Sequence, residues 1–427
     1  MDGTCLVLSD QDDIEAMIPG KKFRFSDTEH YYKTVNLYKF SQEFSRTHYV
    51  PFLEAYTKAL GNNEYYEQVL KVLVTLDDPG IKAKRLDENQ RWYEIDDIQD
   101  LNIAESIFAP EKERTHLIQK RFGGYWRYPK MLDFCYLVNS YYPPQKMMDE
   151  IKHNFDVLAR QYPSGMAVNS LLAARNFSLR QDQIVVGNGA AELIKALMER
   201  VKGNLGVIRP AFEEYANRCD KEKVIAFVPQ TEDFSYNEND VMNFFEDKNL
   251  DCLVLVNPDN PTGNYISREG MLKLARWTKE KDIRFLADES FVDFAEETEP
   301  TLLVEELLDE NPHMIVVKSI SKSYGIPGLR LGVAASGDTD LIGQLKKMLP
   351  SGISIPLVSF ICRSKKIQKD YASALDKLRT ERTRFAEKLG SLPGVRIFPS
   401  QANYLMVELT GENVKAIRDN RTSFNPL

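Results

Sequence analysis

Lys322 stands between two serines in the stretch Ser319-Ile320-Ser321-Lys322-Ser323, and Arg330 follows it across a Pro327-Gly328 break. An ammonium on a flexible stem becomes a carbonyl-capturing nucleophile when its surroundings lower its pKa. Hydroxyls and a guanidinium close by suit a phosphate. An aldehyde that carries a phosphate answers both requirements, and pyridoxal 5'-phosphate, which enzymes hold as a Schiff base to lysine, is such a molecule. Taken alone, the stretch also reads as an ordinary polar loop with an unrelated arginine.

Three other turns carry companions for that lysine. GNGAAE, Gly187 to Glu192, follows the apolar run QIVV and opens a helical pattern, which sets the N–H groups of Ala190 and Ala191 at the positive end of a helix where phosphate binds. The alternative is a plain glycine turn. NPDNPTG, Asn257 to Gly263, follows CLVLV, and its two X-Pro steps fix the amide of Asn260 or else carry a solvated asparagine. ADESFVDF, Ala287 to Phe294, follows IRFL. A carboxylate at a strand end, Asp288, pairs with a protonated pyridine nitrogen and keeps the ring electron-poor. As a helix N-cap it would have a simpler role.

The elements that must position these residues read as strands and helices in alternation. DQIVVGNGAAELIKALMERV, LGVIRPAFEEYANRC, LDCLVLVNPDNPTG, IRFLADESFVDF and HMIVVKSISKSYG each begin with a short β-branched run, and most of them pass through a turn into a helical pattern. This predicts an α/β fold with a mostly parallel sheet flanked by helices, whose ligands bind at the carboxyl ends of the strands. Up to Phe108 the texture differs, being rich in tyrosines and acids. YYKTVNLYKFS, Tyr31 to Ser41, alternates as a strand does, and FLEAYTKALGNNEYYEQVLKVL predicts two helical pieces split at Gly61. The expected divisions are a first segment over 1–108, a charged linker over 109–121, an arm with a large domain over 122–345, and a small domain over 346–427.

Composition bounds the rest. The 427 residues are 43% hydrophobic, enough for large cores, and the net charge of −8 argues against a nucleic-acid surface as partner. Five cysteines lie apart with no CxxC pair, so they read as core thiols in a reducing compartment, with no metal site among them. The start lacks a basic segment followed by an apolar one, and no apolar run approaches the ~18 residues of a membrane helix. A cytoplasmic protein with no membrane partner is the expectation.

GNGAAEL, NPDNPTG, LADESFVDF, SISKSYGIPGLRLG and QANYLMVEL together resemble the successive signatures of class I/II, fold-type I pyridoxal-phosphate enzymes, among them histidinol-phosphate aminotransferases and threonine-phosphate decarboxylases. The resemblance covers roughly residues 120 to 410. It implies that Lys322 holds the cofactor aldehyde and moves protons. Asp288 pairs with the pyridine nitrogen, Asn260 with the ring oxygen, and Phe212 stacks on the ring. Ser319, Ser321 and Arg330 hold the cofactor phosphate with the Ala190 and Ala191 backbone, and Tyr162 reaches the phosphate in the partner subunit of a homodimer. Aminotransferases of this group usually carry a tyrosine where this chain has Phe291. That departure resembles the phospho-amino-acid decarboxylase branch. The resemblance assigns no residue to the arginine that grips the substrate carboxylate, and the chain runs into NVKAIRDNRTSFNPL, so an incomplete small domain is expected.

MDGTCLVLSDQDDIEAMI, YYKTVNLYKFS and RWYEIDDIQDLNIAE resemble the later half of a sugar- or choline-phosphate nucleotidyltransferase, in which an aspartate at the position of Asp96 helps bind Mg²⁺. The run EIDDIQD also reads as a solvated helix start. The resemblance as a whole implies a decarboxylase of a small phosphorylated or phosphonylated amino acid such as phosphoserine or phosphothreonine. Transamination of a phosphorylated amine is the alternative, and a cofactor-binding protein without turnover is an alternative of another class.

Overall fold

Cys5–Leu8 (β1) and Ile14–Ile18 (β2) run back on each other through a turn at Asp12, whose φ is 62°. Tyr32–Lys33 (β3) adds to the other edge of β1. The computed structural model describes residues 3–19, 22–76, 80–87, 89–120, 124, 125, 128, 134–349 and 365–411. The strand expected over Tyr31 to Ser41 is only these two residues long. Thr34 N still bonds to Thr4 O, but Asn36 takes a φ of 56° and leads the chain out of the ladder. Its aromatic alternation serves a different end: Tyr38 and Phe40 pack with Phe44 and Tyr49 around the buried Leu70 and Leu73.

The helical split at Gly61 is present. Helix Val50–Leu60 ends where Gly61 takes a φ of 85°, and a second helix follows at Glu67–Leu73. The stretch expected as a linker contains helix Glu111–Lys120, and Ile118 packs with Ile103 and Ile107 of helix Ile98–Phe108. Asp97 caps that last helix by accepting from Gln99 N and Asp100 N, and Asp96 is exposed beside it, so EIDDIQD is a solvated helix start. One compact unit lies within Met1–Asp133 and a second within Phe134–Ala416.

The second unit is built on a seven-stranded sheet: β4 (Ile184–Asn188), β5 (Leu205–Ile208), β6 (Val224–Phe227), β7 (Cys252–Val256), β8 (Arg284–Asp288), β9 (Met314–Ser319) and β10 (Leu331–Ser336). Their spatial order is β4-β10-β9-β8-β7-β5-β6. Alternate residues go to opposite faces, as a pleated strand requires. Val186, Leu253, Phe285 and Val316 face one side, with helices Gln145–Arg160, Met166–Phe177 and Arg268–Glu280; Val185, Val254, Leu286 and Ile315 face the other, with Ala190–Met198 and Thr339–Met348. Each such side chain contributes about 1.5–3 kcal/mol on burial, and with both faces covered every strand reads as a continuous apolar run.

All neighbours pair parallel except those of β10, which runs against both β4 and β9. The reversal decides where Arg330 arrives. Leu331 pairs with Asn188 and Gly332 with Ser319, so the start of β10 lies among the carboxyl ends of its neighbours. Helix Lys365–Gly390 and the antiparallel pair β11 (Val395–Ile397) and β12 (Val407–Leu409) complete the described part of this unit. Leu375 and Leu378 of the helix pack on Phe291 and Phe294 in the loop after β8. Within the small domain expected over 346–427, residues 350–364 and 412–427 lie outside the described ones, including the closing stretch beginning at Asn413.

Candidate active site

β9 ends at Ser319, and the chain turns into the short helix Ile320–Ser323 that carries Lys322. Gly325 follows with a φ of 63°, and a Cβ there would overlap the carbonyl oxygens of Tyr142 and Asn139. Asn139 N donates to Lys322 O at 2.9 Å and Asn139 Nδ2 to Ser323 O at 3.0 Å. Residues 139–142 therefore strap the lysine turn in place.

Two lysines lie in this region, Lys318 buried and Lys322 half-buried, and their surroundings separate them. Lys318 Nζ donates to Asp293 Oδ1 at 2.6 Å, so its ammonium is committed to a carboxylate. Lys322 Nζ lies 5.9 Å from the centroid of the Phe291 ring. Burial pushes the Lys322 pKa down and the Arg330 charge acts in the same direction, while Cys135 and Asp288 oppose them. A lowered pKa is what an amine needs in order to attack a carbonyl near neutral pH.

Arg330 itself adopts a left-handed conformation, φ 52°. Its guanidinium lies against Gly189, where a Cβ would stand 2.9 Å from Nη2. Helix Ala190–Met198 starts at the same place, with Gly189 as N-cap at φ 77° and no side chain capping its first N–H groups. A Cβ on Gly332 would come within 2.5 Å of Ala190 N, so this second glycine lets β10 press against the helix start. A guanidinium beside an uncapped helix N-terminus is a phosphate cradle. Ser319 and Ser321 are both buried here: Ser319 N donates to Ser290 Oγ at 3.0 Å, and Ser321 Oγ to Leu331 O at 3.4 Å.

Asp288 closes β8 and is buried. Tyr215 Oη donates to Oδ2 at 2.7 Å and Ser290 N to Oδ1 at 2.9 Å. Burial pushes the Asp288 pKa up, against the lowering effect of those two bonds and of the Lys322 charge. A buried carboxylate of this kind gains from a cationic partner such as a pyridinium N–H. Phe212 is exposed and edge-on to Tyr215, 6.5 Å between centroids. In the turn after β7, Asn257 clamps the loop by bonding Ile266 through both ends of its amide, and Asn260 is half-buried next to it. Phe291 is buried, and Tyr404 meets it edge-on at 5.1 Å while donating to Asp259 O at 2.6 Å.

The fold thus brings the lysine, the guanidinium, the helix start and the buried aspartate to one end of the sheet. Cation and helix N-terminus for a phosphate, amine for an aldehyde, carboxylate for a ring nitrogen: this donor set fits pyridoxal phosphate. Tyr162 stands apart in a single chain, fully exposed. Tyr215 and Asn139 are contributors that reading along the sequence missed. Tyr215 lies three residues beyond Phe212 with no motif to mark it, and the two bonds that Asn139 donates go to residues more than 180 positions away.

Comparison with known proteins gives the family. The family model for aminotransferase class I and II matches residues 135–422, and the chain belongs to that family. It is 33% identical over 380 residues to a CMP-5'-(3-aminopropyl)phosphonate synthase of Streptomyces rubellomurinus, covering 89% of this chain and 60% of that protein. It is 29% identical to an L-serine phosphate decarboxylase of Sulfurospirillum multivorans, over 65% of this chain and 74% of the relative. The solved structure of a decarboxylase from Sulfurospirillum multivorans superposes with a TM-score of 0.57 at 31% identity, covering 66% of this chain and 80% of that one.

Proposed function

We propose that the chain is a pyridoxal-phosphate decarboxylase of a small phosphorylated or phosphonylated amino acid such as phosphoserine or phosphothreonine. The observation that carries the choice of reaction is Phe291, whose ring faces Lys322 where aminotransferases of this group place a tyrosine hydroxyl. The relative named L-serine phosphate decarboxylase supports the substrate class. Amino transfer is the second reading, favoured by the resemblance of the chain to histidinol-phosphate aminotransferases.

In this reading Arg330, Ser319, Ser321 and the N–H groups of Ala190 and Ala191 hold the cofactor phosphate. Asp288, oriented by Tyr215, keeps a proton on the ring nitrogen. Asn260 donates to the ring oxygen, and Phe212 covers one ring face. Bound here, the cofactor supplies an electron sink for the pair released when a bond to the substrate α-carbon breaks. Lys322 returns a proton to that carbon, and the apolar wall of Phe291 and Tyr404 keeps water from competing.

The proposal includes a homodimer, in which the exposed Tyr162 reaches the partner's cofactor phosphate, and work in the cytoplasm. It also takes the first unit as similar to the later half of a nucleotidyltransferase. The alignment to the CMP-linked phosphonate synthase leaves too few residues outside it to miss that unit, which supports this part.

The test is a product assay on the cofactor-loaded protein with O-phosphoserine and O-phosphothreonine. Release of carbon dioxide with formation of the amino-alcohol phosphate is expected. Amino transfer to a keto acid without carbon dioxide would move the reading to the transaminase branch.

A further inference from the structure

Asp293 takes no part in holding the cofactor, yet it is tied from three sides. Its carboxylate accepts from Lys318 Nζ at 2.6 Å and from Tyr371 Oη at 2.8 Å, and its backbone carbonyl accepts from Arg379 Nη2 at 2.8 Å. Tyr371 and Arg379 both lie on helix Lys365–Gly390, about two turns apart and so on similar faces. The Tyr371 ring also stacks on Tyr324, 4.5 Å between centroids, and meets Tyr142 edge-on at 5.3 Å. Tyr324 follows Lys322 by two residues, and Tyr142 belongs to the strap over the lysine turn. One side chain of this helix therefore touches the loop after β8, the turn after β9 and the strap.

A buried ion pair adds little net stability, because the loss of hydration offsets the attraction. What the Asp293 contacts fix is the placement of the loop that also carries Phe291, two residues earlier. We propose that Asp293 and Tyr371 are positioning residues that hold the Phe291 ring against Lys322, so that helix Lys365–Gly390 controls how far water reaches the lysine amine. This rests on the reading of Lys322 as the cofactor lysine.

Among the described residues, the charged or titratable groups acting on Lys322 are Arg330, Cys135 and Asp288. Tyr371→Phe leaves all three in place and keeps the ring stacking, while deleting one tie to Asp293. The Phe291 ring then recedes, the amine gains water, and the lowering of its pKa by burial relaxes.

The experiment follows capture of pyridoxal phosphate by the cofactor-free protein, by absorbance, across a pH series. Only the unprotonated amine captures the aldehyde, so the midpoint of the rate profile reports the Lys322 pKa. Tyr371→Phe should raise that midpoint by roughly half a pH unit, which is about threefold slower capture below it, with the plateau at high pH retained. The melting temperature should fall by no more than about 4 °C. Arg379→Gln, which removes a different tie to the same residue, should shift the midpoint in the same direction. Unchanged midpoints in both variants, with or without a lower melting temperature, would make these contacts merely structural and overturn the proposal while leaving the cofactor reading standing. Failure of the unaltered protein to capture the cofactor would overturn both.

Discussion

At the level of single residues, the chemistry depends on which groups face Lys322. Phe291 offers no hydroxyl, which in the proposed site would leave Asn260 to stabilise the anionic ring oxygen of the bound cofactor. A hydrogen bond to a charged form favours that form. Phe291→Tyr should therefore lower the pH at which the visible absorbance of the bound cofactor titrates, relative to the unaltered protein. A pH titration of both proteins checks this, and identical curves would mean that residue 291 does not act on the cofactor and would remove the main reason for preferring decarboxylation. That Lys322, Arg330 and Asp288 gather at one end of the sheet was legible in the sequence, because each sits directly beside an apolar run. Tyr215, Asn139 and Tyr371 were not, because their partners Asp288, Lys322 and Asp293 are 73 or more positions distant and no local spacing marks them.

At the scale of elements, five of the seven strands in the large sheet were readable from β-branched runs, and their turns pointed to one end of the sheet. The direction of β10 was not, since LRLGVAAS reads the same whether its neighbours are parallel or antiparallel. Yet that reversal delivers Arg330 to the start of helix Ala190–Met198. The strand expected over Tyr31 to Ser41 failed for a related reason: alternating aromatics fit a side-chain cluster as well as a ladder, and only the left-handed Asn36 distinguishes them. The close approach of β10 to the helix start can be tested at Gly332. A methyl group there would lie 2.5 Å from Ala190 N. Overpacking of this kind costs about 1–3 kcal/mol, and here it falls on the phosphate cradle. Gly332→Ala should both lower the melting temperature and weaken cofactor retention in equilibrium dialysis. Full retention at unchanged affinity would show that the helix start is not part of the cradle.

At the scale of the whole molecule, buried acids outside the cofactor cradle should shape the response of stability to pH. Burial pushes Asp259 up to about 7, against its bond from Thr262, and pushes Glu289 up to about 7, against the Lys318 charge. Both values exceed those of the unfolded chain, so the native state binds more protons between about pH 4 and pH 7 and these two groups lower stability as pH rises through that window. Asp259→Asn removes one of them. The gain in melting temperature of this variant over the unaltered cofactor-free protein should be larger at pH 8 than at pH 5, and an equal difference at both would place the Asp259 carboxyl in water. In the proposed function the ends of β4, β8 and β9 and the start of β10 form one pyridoxal-phosphate site whose covalent anchor is Lys322. Its most direct test is borohydride reduction of the cofactor-loaded protein followed by peptide mapping. A single adduct on Lys322 that disappears in Lys322→Ala is expected, with Lys318 unmodified because Asp293 holds it. An adduct on Lys318, or one that survives Lys322→Ala, would contradict it.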